Sequence, residues 1–189
     1  MDLDGVTLAC ATKTEARVAR RLGARAAVVG VGARRGVPDG RLVSFGLAGG
    51  LHDGVALGEV LDAVRVVDEQ GRTVWEGAPL GARGARHATL LAARRLVDDP
   101  GERRVLHERT GADAVDMESG ELARSGRLAG CLRAVSDTPS RTLGPLAGTL
   151  GQDGRISWSG VIRALASPRE TGRALGGVRR ALRRLEEAT

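Results

Sequence analysis

Aromatic residues are almost absent from this chain of 189 residues: Phe45, Trp75 and Trp158 are the only three, and there is no tyrosine. The core must then be built from valine, leucine and alanine, for which this length suffices in a single domain. An aromatic clamp for a planar ligand is nearly unavailable, and the stacking platform of a single-strand nucleic-acid binder is missing. Lysine is as scarce. Lys13 is the only one, so the formal net charge of +6 is an arginine charge. Through the first 135 positions these arginines interleave with acids, which is a coding bias toward Ala, Gly and Arg rather than a nucleic-acid stripe.

Only two cysteines occur, Cys10 and Cys131, each within an apolar run. Two buried reduced thiols are expected rather than a disulfide. No Cys/His spacing suits a metal. No run approaches the ~20 apolar residues of a membrane span, and Met1 to Asp4 lacks the basic start of a secretion signal. A cytoplasmic protein is expected, with one domain over residues 1–189.

What is present is alternation. Short apolar runs feed helical patterns through glycine punctuation, the mark of an α/β fold. Strands are expected at Val6 to Ala11, Ala26 to Val31, Arg41 to Phe45, Val60 to Val67, Ala112 to Val115 and Cys131 to Val135, with Thr73 to Trp75 pairing beside the fourth. Thr12-Lys13-Thr14-Glu15 has the capping-box pattern and opens a helix through Leu22. Residues 85 to 97 fit either a helix or a strand over Thr89 to Val97. Helices are expected at Glu102 to Arg109, Trp158 to Ala166 and Arg169 to Glu187.

Three acids stand at strand ends, where open α/β sheets place ligands: Glu15, Glu118 and Asp137. Each has a plain structural explanation. Glu15 completes the Thr12 cap, Glu118 suits a helix first turn, and Asp137 caps the turn before Thr138-Pro139. Their company changes the reading. Ser44-Phe45-Gly46-Leu47-Ala48-Gly49-Gly50-Leu51, then Ala114-Val115-Asp116-Met117-Glu118-Ser119, then Arg133-Ala134-Val135-Ser136-Asp137 follow in that order.

This set resembles the nucleoside phosphorylase and methylthioadenosine nucleosidase superfamily, from about Leu8 to Pro139. A narrower resemblance, to the hopanoid-associated phosphorylases, rests on Val43 to Gly50, on Leu106-His107-Glu108-Arg109-Thr110-Gly111-Ala112, and on Asp153-Gly154-Arg155-Ile156. The resemblance implies a three-layer α/β/α sandwich with a central mixed sheet, as in purine nucleoside phosphorylase, and cleavage of the N-glycosidic bond of an adenine nucleoside. For the narrower family the substrate is adenosylhopane. A methylthioadenosine-like nucleoside, or silent nucleoside binding on the same fold, are the alternatives.

By resemblance, Asp137 is the acid at purine N7, assisted by Ser136. Glu118 holds the ribose hydroxyls and Met117 packs under the sugar, with Ala48 and Gly49 in the glycine-rich turn beside the substrate. Glu15 stands where nucleosidases activate water and phosphorylases place an arginine for phosphate, while Gly32 and Arg34 can serve a phosphate. Water and inorganic phosphate therefore both stay open as co-substrate, and no cofactor or metal is implied. Leu47 replaces a serine common in nucleosidases, and Arg94-Arg95 a Gly-Asp pair. With no aromatic sandwich and a short chain, a wider, greasier mouth on the 5′ side is expected. The fold also implies a homo-oligomer.

Between Arg169 and Arg184, six arginines alternate with Leu175, Val178 and Leu182. A basic amphipathic helix of this kind can touch an anionic membrane, or simply pack its leucines on the sheet and solvate its charge.

Overall fold

The structure, a computed structural model, describes residues 3–144 and 168–189. The helix expected at Trp158 to Ala166 and the Asp153 to Ile156 segment lie outside the described residues. Eight strands and four α-helices are described. They are β1 (Val6–Cys10), α1 (Lys13–Arg21), β2 (Arg25–Val28), β3 (Arg41–Gly50), β4 (Val60–Val67), β5 (Thr73–Glu76), β6 (Arg86–Ala92), α2 (Pro100–Thr110), β7 (Ala114–Asp116), α3 (Ser119–Arg124), β8 (Leu128–Asp137) and α4 (Pro168–Ala188).

The strands form one mixed sheet with helices on both faces, the three-layer arrangement expected. β3 runs parallel to β1 and β8, and β8 lies antiparallel to β4. β4 continues into parallel β6 and antiparallel β5. β7 then pairs with β6 and, antiparallel, with the last two residues of β3. The sheet therefore curls until β3, β8, β4, β6 and β7 close on one another. That closure brings Glu118, which follows β7, to the ends of β1, β3 and β8.

Side chains of β8 alternate between the two faces, as a strand requires. Cys131 and Val135 point to a core that includes Leu42, Leu61, Leu90 and Leu122 of α3. Leu132 and Ala134 point to the other, with Leu8, Val43 and Phe45 under Ala16 and Ala19 of α1 and Ala181 and Leu185 of α4. A third cluster seats Leu106 of α2 on Leu51, Val67 and Leu91. Both cysteines are free and buried, as expected.

Two elements differ from expectation. β3 and β8 extend through Gly46–Gly50 and Ser136-Asp137, which the sequence pattern assigns to turns. β8 pairs along β3 as far as Gly49 and β7 takes up Gly49 and Gly50, so the hydrogen-bond ladder carries the backbone through the glycines. The ambiguous segment 85 to 97 is a strand at Arg86–Ala92, drawn into the sheet between β4 and β7.

Candidate active site

A cavity of about 400 Å³ opens where the C-terminal ends of β1, β3, β7 and β8 converge. Glu15, Glu118 and Asp137 all line it, together with Ala48, Gly49, Met117 and Ser136. Acids at positions 15, 118 and 137 thus share one pocket, and all three are buried. Its remaining walls are mostly aliphatic, including Leu47, Leu96, Val97 and Leu143, with Leu175, Val178 and Leu182 of α4 on one side.

Glu15 does two jobs at once. Its N–H donates to the Thr12 hydroxyl at 3.2 Å, and its Oε2 accepts from the Thr12 N–H at 2.7 Å, so the capping box forms as its spacing predicts. Its Oε1 accepts from the Leu47 N–H at 3.0 Å, tying the start of α1 to the glycine-rich end of β3. Gly46, at φ +155°, makes this approach: a Cβ there would collide with Glu15 Oε1 and stand 2.9 Å from Arg133 Nη1. Any side chain at 46 would evict the carboxylate.

Glu118 sits over a buried ion cluster. Arg133 projects from β8 opposite Gly46, at the same parity as Cys131 and Val135, and is wholly buried. Its Nη2 is 2.5 Å from Asp116 Oδ2, 2.5 Å from Ser44 Oγ and 3.3 Å from Glu118 Oε2. Asp116 also accepts from the Ser119 hydroxyl at 2.5 Å. The other Glu118 oxygen accepts from the Gly32 N–H at 3.0 Å. Burial pushes the Glu118 carboxyl up to about 7, helped by Asp116 and Glu15 and opposed by Arg133 and the Gly32 N–H. The carboxyl is therefore poised between its two forms near neutrality. Burial disfavours the Arg133 charge, yet the surrounding carboxylates outweigh it and raise its pKa.

Asp137 is held from both sides. Its Oδ1 accepts from the Ser136 hydroxyl at 2.5 Å, and its Oδ2 is bound by Nη2 of Arg103 from α2. Arg103 is itself wholly buried and donates to Val97 O at 3.0 Å and Gly50 O at 3.2 Å. Gly49 leaves room for the pair, since a Cβ there would lie 3.1 Å from Asp137 Oδ2 and 3.2 Å from Arg103 Nη2. Burial raises the Asp137 pKa. Arg103 and Ser136 pull the other way, and Asp98 adds to the rise.

The phosphate pair stays together but outside the cavity of the three acids. Gly32 and Arg34 both line a second cavity of about 820 Å³ with Arg72, Arg94 and Arg124, and the Gly32 N–H is already given to Glu118. That larger space touches the first at Met117 but contains none of the three acids. The three acids therefore meet in the smaller cavity. No cluster of ligating side chains suited to a metal occurs among the described residues.

Three polar residues at the site were not singled out by sequence: Asp116, Arg103 and Arg133. A charge amid the apolar Cys131–Val135 run was one visible sign. Arg103 at helical spacing from Leu106 and Thr110, all three buried, was the other.

No protein-family model matches the chain, and no curated protein matches it by sequence. Solved structures do match. The 5′-methylthioadenosine/S-adenosyl homocysteine nucleosidase of Campylobacter jejuni is 13% identical, with 97% of this chain and 99% of that one covered at a TM-score of 0.54. A mutant of the Helicobacter pylori enzyme with 5′-methylthioadenosine in its active site is 12% identical over 99% and 100% of the chains, also at 0.54. The futalosine hydrolase of Helicobacter pylori is 13% identical over 93% and 97%, again at 0.54. At these identities the likeness speaks to architecture, and this chain has the fold of the methylthioadenosine and futalosine nucleosidases along nearly its whole length.

Proposed function

We propose that this chain cleaves the N-glycosidic bond of an adenine nucleoside carrying a bulky apolar 5′ substituent, adenosylhopane in the assembly of hopanoid lipids. The observation that carries this reading is the meeting of Glu15, Glu118 and Asp137 in one buried, aliphatic-walled cavity. Departure of adenine leaves positive charge on the sugar and negative charge on the base. Asp137 handles the base: Arg103 and Ser136 aim its carboxyl, and burial raises its proton affinity, so a proton can be shared with N7 as the bond breaks. Glu118 accepts from the ribose hydroxyls and, with Glu15, lowers the energy of the cationic sugar in a pocket of low dielectric. Met117 closes the face under the sugar.

Water is the nucleophile in this proposal. A phosphate beside Glu15 would meet repulsion without an uncommitted cation. Arg133 is engaged by Asp116 and Glu118, Arg103 by Asp137, and Arg95 by Glu102. The Glu15 carboxylate suits instead the removal of a proton from water. The α4 wall of Leu175, Val178 and Leu182 gives an apolar 5′ group a path outward, because Leu175 is 42% exposed. A second reading, a small 5′ thioether, is favoured by the names of the matching nucleosidases.

Adenine release from adenosylhopane, methylthioadenosine and adenosine, with and without phosphate, tests the proposal. Release from adenosylhopane that needs Asp137 and ignores phosphate supports it. Faster release from methylthioadenosine selects the second reading, and a phosphate requirement replaces water. No adenine from any of the three overturns catalysis and leaves nucleoside binding.

A further inference from the structure

The rim of the cavity carries a charge pattern that cleavage does not use. α4 packs its Ala174, Gly177, Ala181, Leu185 and Ala188 side against the body of the protein, while Leu175, Val178 and Leu182 line the cavity. The outward side holds Arg173, Arg179, Arg180, Arg183 and Arg184, all exposed. At 100° per residue, Arg179 and Arg183 fall on the sector next to Leu175 and Leu182. Across the same rim, Thr14 of α1 lines the cavity, and exposed Arg17 and Arg21 follow it at i+3 and i+7. Arg21 reaches Glu186 of α4 at 3.7 Å, so the two basic helix faces are joined. Glu187 offsets Arg183 and Arg184 at 3.6 and 3.2 Å, which leaves a marked excess of positive charge.

A cavity with apolar walls, an exposed leucine at its lip and arginines on two helices around it matches one kind of surface. We infer that the α1–α4 face docks on an anionic lipid membrane, with the cavity mouth turned toward the acyl region. Arginines meet headgroup phosphates, and Leu175 enters the interface. No helix among the described residues is long and apolar enough to cross a membrane, so this contact is peripheral. Free phosphate or nucleic acid would use the arginines but has no use for the leucine beside them. Docking does not depend on the cleavage reading. Its value in delivering a lipid-borne nucleoside does.

The test is co-sedimentation of the full chain with vesicles of phosphatidylcholine alone and with phosphatidylglycerol added. The expected result is binding only to the anionic vesicles, weakened by salt. One arginine near such a surface is worth about fivefold in binding, so R179E/R183E should weaken it by at least about 25-fold. R34E/R94E removes the same charge at the larger cavity and should bind as the parent does. Both pairs are exposed, and a thermal melt checks that each variant is folded. Absence of binding to anionic vesicles overturns the inference, as does binding that survives R179E/R183E or falls equally in both variants. Sedimentation needs no turnover, so its failure and that of the cleavage reading are seen separately.

Discussion

At the scale of single residues, the site is two acids each leashed to a buried arginine. Asp137→Asn keeps the size of the side chain but removes the acid, and under the proposed function kcat for adenine release should fall by about 10²-fold or more. The melting temperature should fall too, because the amide leaves buried Arg103 without its counter-charge. Arg103→Met should act differently. It strands Asp137 as an unpaired buried carboxylate, and loss of one partner from such a pair costs about 3–5 kcal/mol. Adding Asp137→Asn to Arg103→Met should restore much of that stability in urea denaturation. Additive losses in the double variant would show that the two side chains do not communicate. Glu118 and Asp137 were legible in sequence because each lies in one of the ordered motifs, and Glu15 because it completes a capping-box pattern at a strand end. Arg103 and Arg133 were not, because their partners sit 34 and 15 to 17 positions away on other elements or strands. Only the curling of the sheet makes them neighbours.

At the scale of elements, the N-terminus of α1 joins a capping box to the cavity wall, since Glu15 belongs to both. Thr12→Ala removes an N-cap worth about 1 kcal/mol, and it also removes the Thr12 hydroxyl that lies 2.8 Å from Glu15 Oε2. The expected outcome is a modest drop in melting temperature with a larger fall in kcat, and Thr12→Ser should recover both. A loss of stability without loss of rate would confine Glu15 to capping. The same element shows why sequence reading worked where it did. α1, β4, β5 and α4 announce themselves locally, by cap, alternation or amphipathic spacing. The far ends of β3 and β8 do not. Gly46–Gly50 and Ser136-Asp137 have turn chemistry, and only pairing with β8, joined by β7 at Gly49 and Gly50, holds the glycines of β3 in the sheet. Gly32 likewise became meaningful only when the backbone N–H met Glu118 from 86 positions away.

At the scale of the whole molecule, buried acids couple stability to pH in opposite senses. Glu118 is raised from 4.5 to about 7 by burial, so its contribution is complete below pH 4.5 and drains away as pH climbs through 7. Asp137, raised by burial against the pull of Arg103, adds to the same trend. Asp113 works the other way. Burial pushes it up, but the Thr89 N–H, Arg86 and His52 together bring it below its ordinary 3.8, so its contribution is lost as pH falls. Cys10, driven by burial from 9.0 to about 12, adds a further decline above pH 9. The melting temperature should therefore be highest near about pH 4.5 and fall as pH rises toward about 7. Glu118→Gln should flatten that decline, because a neutral amide has no proton to surrender. A parent protein whose melting temperature rises from about pH 5 to about 7, or a Gln variant with an undiminished slope, would contradict the burial of this carboxyl. The proposed cleavage asks for the opposite state. If Glu118 accepts from ribose hydroxyls it does so as the carboxylate, so adenine release should climb as pH rises through about 7, where stability has declined.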